Sequence, residues 1–138
     1  NHTVLSGHAE GADFAFEQGA QKNTEVYLPW AVFNSTLPLL GWQPQTVAVP
    51  FSLVNHYHPA PQYLSPGGIK LMSRNCHQIL GADLASPVDA VVCWRIKRGG
   101  TDFALAIAKD KNIPIFNMAD EPNSTAELVI AQLELLCR

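Results

Sequence analysis

Charge is scarce in this chain and unevenly placed. Asp, Glu, Lys and Arg make up 15% of the 138 residues, and none falls between Glu25 and Lys70. The net charge of −3, from 9 basic and 12 acidic residues, lacks the basic excess with which proteins hold nucleic-acid phosphates. Nucleic acid is therefore not an expected partner. No apolar run approaches the roughly 20 residues of a membrane-spanning helix, and no basic-then-apolar leader opens the sequence. No membrane partner is expected. Cysteine is sparse as well. Cys76, Cys93 and Cys137 form no C-x-x-C pair, which excludes zinc-knuckle and thioredoxin-like motifs. They read as reduced, mostly buried thiols of an intracellular chain, and a cytoplasmic location is expected.

Apolar residues, by contrast, are plentiful. They make up 47% of the chain, enough for one packed domain spanning residues 1–138. The uncharged stretch 26–69 also holds seven of the ten prolines and the aromatics Tyr27, Trp30, Phe33, Trp42, Phe51, Tyr57 and Tyr63. Each proline removes a backbone donor, so a long helix is excluded there. A proline-rich, aromatic insert over about 29–66 reads as a structured excursion. It is either a loop packed on itself or a lid or subunit contact, and an apolar insert of this size leads us to expect a homo-oligomer.

Strand and helix patterns alternate along the chain. Thr3–Leu5, Glu25–Leu28, Asp89–Trp94 and Ile113–Asn117 read as strands. Phe14–Ala20, Ile69–Leu80, Thr101–Lys111 and Ser124–Cys137 read as helices, the last capped by Ser124 with Leu128, Ile130, Leu133 and Leu136 on its apolar side. Short, continuous apolar strands indicate an α/β fold with a parallel sheet flanked by helices. In such sheets ligands bind beyond the carboxyl ends of the strands, which points to the loops after Leu5, Leu28 and Trp94.

Two of those loops are glycine-bearing turns that open helices. One runs Ser6-Gly7-His8-Ala9-Glu10-Gly11-Ala12-Asp13, the other Lys97-Arg98-Gly99-Gly100-Thr101-Asp102. Backbone N–H groups at a helix start, with Lys97 and Arg98 beside them, suit an anionic ligand. Trp30 and Trp94 follow strands at the same edge; Trp94 either stacks on a base or packs in the core, and Trp30 is the better candidate for stacking on a base. His8 either touches ligand or is exposed. His56 and His58 would share one side of a strand, but two ligands flanked by Pro59 and Pro61 are too few, and no metal or other cofactor is expected.

Three segments together resemble the SLOG superfamily, which includes YspA-like, DprA-like and Lonely Guy proteins. They are Ser6–Asp13, Met72-Ser73-Arg74-Asn75, and Gly99-Gly100-Thr101 followed by Ala104 and Ala108. The resemblance implies a Rossmann-like sheet and a nucleotide, nucleotide-sugar or phosphoribosyl ligand. It implies that Gly7, Gly11, Gly99, Gly100 and Thr101 hold phosphate, that Asp13 accepts from ribose and that Arg74 faces the same pocket. Asn75 would fix the Arg74 turn or bond ribose hydroxyls, and His77 would support Arg74 or lie at the surface. Lonely Guy enzymes hydrolyse the base from a nucleoside monophosphate with this arginine and a glutamate three residues after the G-T threonine. That position is Ala104 here, so a hydrolase would need Asp13, Glu10 or Asp102 beside Arg74. The chain is more similar to the YspA-like branch, which implies ligand sensing or sequestration and leaves catalysis open. Relatives carry another strand and helix before the Ser-Gly turn. Either the chain is a fragment, or that first unit is absent and something else covers the sheet edge.

Overall fold

A computed structural model describes residues 2–35, 45–46, 50–120 and 125–136. Strand β1 (Val4–Ser6) leads through the first glycine turn into helix α1 (Ala12–Ala20), and β2 (Thr24–Leu28) follows. β3 (Gln45–Thr46) and α2 (Phe51–Tyr57) lie within the proline-rich segment. Then come α3 (Pro66–Leu80), β4 (Val91–Cys93), α4 (Gly100–Asp110), β5 (Ile115–Asn117) and α5 (Ala126–Leu136).

The α/β class is as expected, and every ladder is parallel: β1 with β2, β2 with β3, and β4 with β5. The expected parallel sheet is shown only as parallel strand pairs. Among the described residues the order is β1-β2-β3 in one sheet and β4-β5 in another, with no ladder joining them. Burial follows this division. Val26, Tyr27 and Leu28 of β2, flanked on both sides, are buried, whereas Val91, Val92, Ile115 and Phe116 are only half-buried.

α3 organises the interior. Ser65 accepts from the Gly68 N–H at 3.0 Å, Pro66 occupies the first turn, and Gly81 at φ 78° ends the helix. Its Cys76, Ile79 and Leu80 pack with Val54 of α2 and Phe103, Ile107 and Ala108 of α4, closed by Ile113. Each fully buried Ile, Leu or Phe contributes about 1.5–3 kcal/mol. Burial pushes the Cys76 thiol up to about 12, so it stays protonated and inert.

Proline did not prevent a short helix: α2 (Phe51–Tyr57) lies between Pro50 and Pro59. His56 and His58 therefore sit at a helix end rather than on a strand, and His58 accepts from the Ala60 N–H. Among the described residues no group of three or more His, Cys, Asp and Glu is placed to hold a metal. No described helix is long and apolar enough to cross a membrane. Pro38, Trp42, Pro44, Ser124 and Cys137 lie outside the described residues.

Candidate anion-binding site

The first glycine turn is folded around its own carboxylate. Asp13 Oδ2 accepts from the N–H groups of Gly7 at 3.2 Å and Ala9 at 3.1 Å, while Gln78 donates to Oδ1 at 3.4 Å. The Gly7 N–H, expected to cradle phosphate, thus already holds the Asp13 carboxyl group. Burial raises the Asp13 pKa, against the lowering effects of the Ala9 N–H and the Arg74 charge. Behind the turn lies a buried polar cluster. Ser6 donates to Glu17 Oε1 at 2.5 Å, His8 Nδ1 meets Glu17 Oε2 at 2.9 Å, and the His8 N–H donates to Ser6 Oγ. His8 is buried, not exposed, and its φ of 58° places a non-glycine residue in the left-handed region. The Asn34 side chain donates to the His8 carbonyl at 2.7 Å, and Asn34 and Val32 are left-handed too. Strained backbone therefore gathers where the loops after β1 and β2 meet.

The second turn uses the same device in the open. Asp102 Oδ2 accepts from the Gly99 N–H at 2.8 Å, and its Oδ1 pairs with Arg95 Nε at 2.8 Å. Here the Gly99 N–H and the Arg95 and Arg98 charges win over desolvation, and the Asp102 pKa falls. Gly99, Gly100, Lys97 and Arg98 are exposed. The Gly100 and Thr101 N–H groups begin α4, where no preceding turn supplies acceptors for them.

Consecutive residues of α3 tie the two turns together. Arg74 Nη1 donates to the Gly7 carbonyl, its Nε donates to Asn75 Oδ1 at 2.9 Å, and Asn75 Nδ2 donates to the Gly100 carbonyl at 3.2 Å. Asn75 thus holds both Arg74 and the second turn. Arg74 is 7% exposed, and among the described residues no carboxylate lies within ion-pair distance of it. Burial lowers its pKa, with Asp13 opposing that shift from beyond contact range. The Phe33 ring lies 5.5 Å from its guanidinium carbon, and Trp30 meets Phe33 edge-on at 5.1 Å.

Most of the residues expected at the site therefore lie around one corner, with changed tasks. Ser6, His8 and Asp13 build the turn, and Arg74 and Asn75 brace it. Gly11, at φ 98°, opens α1 in a conformation that favours glycine. Glu10 is exposed at the rim. Trp30 is 37% and Trp94 59% exposed, so neither is a core residue. His77 does not accompany Arg74: it stacks on Tyr27 and its Nδ1 donates to the Gly81 carbonyl at 3.1 Å. Glu17, Phe33, Asn34 and Gln78 were not foreseen. A second acid in α1, four residues after Asp13, and an ordinary Phe-Asn pair carry no pattern that marks them. Compared with protein-family models, curated proteins and solved structures, the chain matches none of them.

Proposed function

We propose that the chain binds a nucleotide-derived anion, of the phosphoribosyl or ADP-ribose type, in a sensing or sequestering role. The frame would be a Rossmann-like domain of the SLOG kind. The observation that carries this reading is Arg74, a buried guanidinium without a carboxylate partner, set between two helix-opening glycine turns. Buried charges are ordinarily paired, so an anion at this corner would supply what the chain itself does not. With Gly7, Ala9 and Gly99 N–H groups already bound to carboxylates, phosphate falls to the Gly100 and Thr101 N–H groups and to Arg98. Exposed Trp94 and Trp30 offer aromatic surface to a base.

Thermal denaturation against AMP, ADP, ADP-ribose and nucleotide sugars, with products separated by chromatography, tests the proposal. A ligand at about 100 times its dissociation constant adds about 2.7 kcal/mol to stability. A shift with the compound recovered intact, lost in Gly100→Asp and in Arg74→Ala, is the expected result. Release of free base would make the chain a phosphoribohydrolase instead, with Arg74, Asp13 and Glu10 the residues to substitute. Binding unchanged in both variants, or no shift with any compound, would overturn the proposal.

A further inference from the structure

Arg74 is covered by a short segment that has little to hold it. Leu28 and Pro29 are buried, but Trp30, Ala31 and Val32 run across the surface, and the chain returns to the body at Phe33 and Asn34. That return has two attachments. The Phe33 ring packs on Val26 and Leu28 and lies 5.5 Å from the Arg74 guanidinium carbon. Asn34 Nδ2 donates to the His8 carbonyl at 2.7 Å. Among the described residues no backbone hydrogen bond joins residues 30–34 to the first turn. The backbone, meanwhile, is held in costly conformations. Val32 (φ 54°) and Asn34 (φ 60°) lie in the left-handed region, as does His8 (φ 58°), to whose carbonyl Asn34 is tied. Val32 is β-branched and 81% exposed, so little packing offsets the cost there.

The group beneath is incompletely paired. Arg74 Nε donates to Asn75 and Nη1 to the Gly7 carbonyl, and among the described residues nothing accepts from Nη2. The residue is nevertheless only 7% exposed. A buried charge with an unused donor, under a strained and weakly attached segment, suits a site kept shut better than a finished core. We propose that residues 30–34 form a cover over Arg74 that lifts when Asn34 leaves the His8 carbonyl. Lifting moves Phe33 off the guanidinium and releases Val32 and Asn34 from the left-handed region. Trp30, edge-on to Phe33 at 5.1 Å, moves with it. In the open form Arg74 Nη2 meets an anion. That last step rests on the ligand-binding reading; the lifting of the cover does not.

Phenylglyoxal, which reacts with accessible guanidinium groups, reads the cover without any ligand. Labelling of each arginine is followed by mass spectrometry, with exposed Arg98 as the internal standard. Labelling of buried Cys76 by a maleimide reports global unfolding. Arg74 should label far more slowly than Arg98 in the parent chain. Asn34→Ala removes the tie and deepens the strain, and should speed Arg74 labelling about fivefold. Val32→Asn installs a residue that tolerates the left-handed region, and should slow it by about the same factor. Cys76 should label alike in all three chains. Arg74 labelling as fast as Arg98 in the parent would overturn the proposal. So would rates that ignore both substitutions, or that rise together at Arg74 and Cys76. Shielding of Arg74 by ADP-ribose in the Asn34→Ala chain would support the anion step, and its failure would count against the ligand-binding reading alone.

Discussion

The two glycine turns are built to one plan and placed in opposite surroundings. In each, an aspartate early in the following helix bends back to accept from the glycine N–H, Asp13 to Gly7 and Asp102 to Gly99. The first is sealed under Arg74, Gln78 and the loop carrying Phe33 and Asn34, whereas the second lies exposed beside Lys97 and Arg98. The electrostatics are opposed: burial raises the Asp13 pKa, whereas the Gly99 N–H with the Arg95 and Arg98 charges lowers that of Asp102. A turn that looks like a phosphate cradle in sequence is thus a structural joint in one case and an accessible surface in the other.

Adding one methyl group to each turn separates the two most sharply. At Gly7 a Cβ would stand 2.6 Å from Arg74 Cδ and 2.6 Å from Gln78 Oε1. Arg74 cannot simply swing aside, because Asn75 and the Gly7 carbonyl hold it. Gly7→Ala should cost about 1–3 kcal/mol, as overpacking does. At Gly99 nothing lies within 4 Å of the added carbon, and Gly99→Ala should stay within about 0.5 kcal/mol of the parent. Urea melts of both variants check this. Equal midpoints would mean that the first turn is as open as the second.

That difference marks the limit of what the sequence discloses. The turns themselves were legible, because glycine next to a strand end and aspartate next to a helix start are local signals. The strands of β4 and β5 and the helices α3 and α4 were legible from apolar runs and spacing. Which turn is buried was not, since it depends on Arg74 arriving from α3, 67 residues away along the chain from Gly7. Glu17 illustrates the same limit. It is 2% exposed in a helix whose other residues are half-buried or exposed, and only its pairing with Ser6 and His8 explains why. The pairing among the described residues was equally hidden, because β1 and β4 each read as strands without saying what lies beside them.

A smaller contrast lies in the aromatic residues above each turn. Phe33 packs on Val26 and Leu28 and covers Arg74, whereas Trp94 is 59% exposed. Phe33→Ala should lower stability by about 1–2 kcal/mol, less than the truncation of a fully buried Phe. Trp94→Ala should change it by less than about 0.5 kcal/mol while weakening any nucleotide bound at the second turn. Chemical melts give the first pair of values, and titration with the ligand identified by thermal shift gives the last. A Trp94 variant that melts as early as the Phe33 variant would make Trp94 a structural residue.

The finest test is the pH dependence of the two aspartates, because their signs are opposed. Asp13 has a folded pKa above its ordinary 3.8, so over that interval the folded chain binds more proton than the unfolded one. Its contribution to stability therefore declines as pH rises from 3.8 through the folded value. Asp102 has a folded pKa below 3.8, so its contribution is present above 3.8 and is lost as pH falls through the folded value. Asparagine keeps an oxygen able to accept from the same backbone N–H groups but does not titrate. Melting temperatures between about pH 3 and pH 7 should thus diverge in opposite directions. Asp13→Asn should gain on the parent as pH rises, and Asp102→Asn should fall behind it. The Asp102 effect should also fade in salt, because that carboxylate and Arg95 are each more than a third exposed. Matching slopes in the two variants would show that the buried turn admits solvent, and with it that Arg74 is less isolated than its geometry indicates.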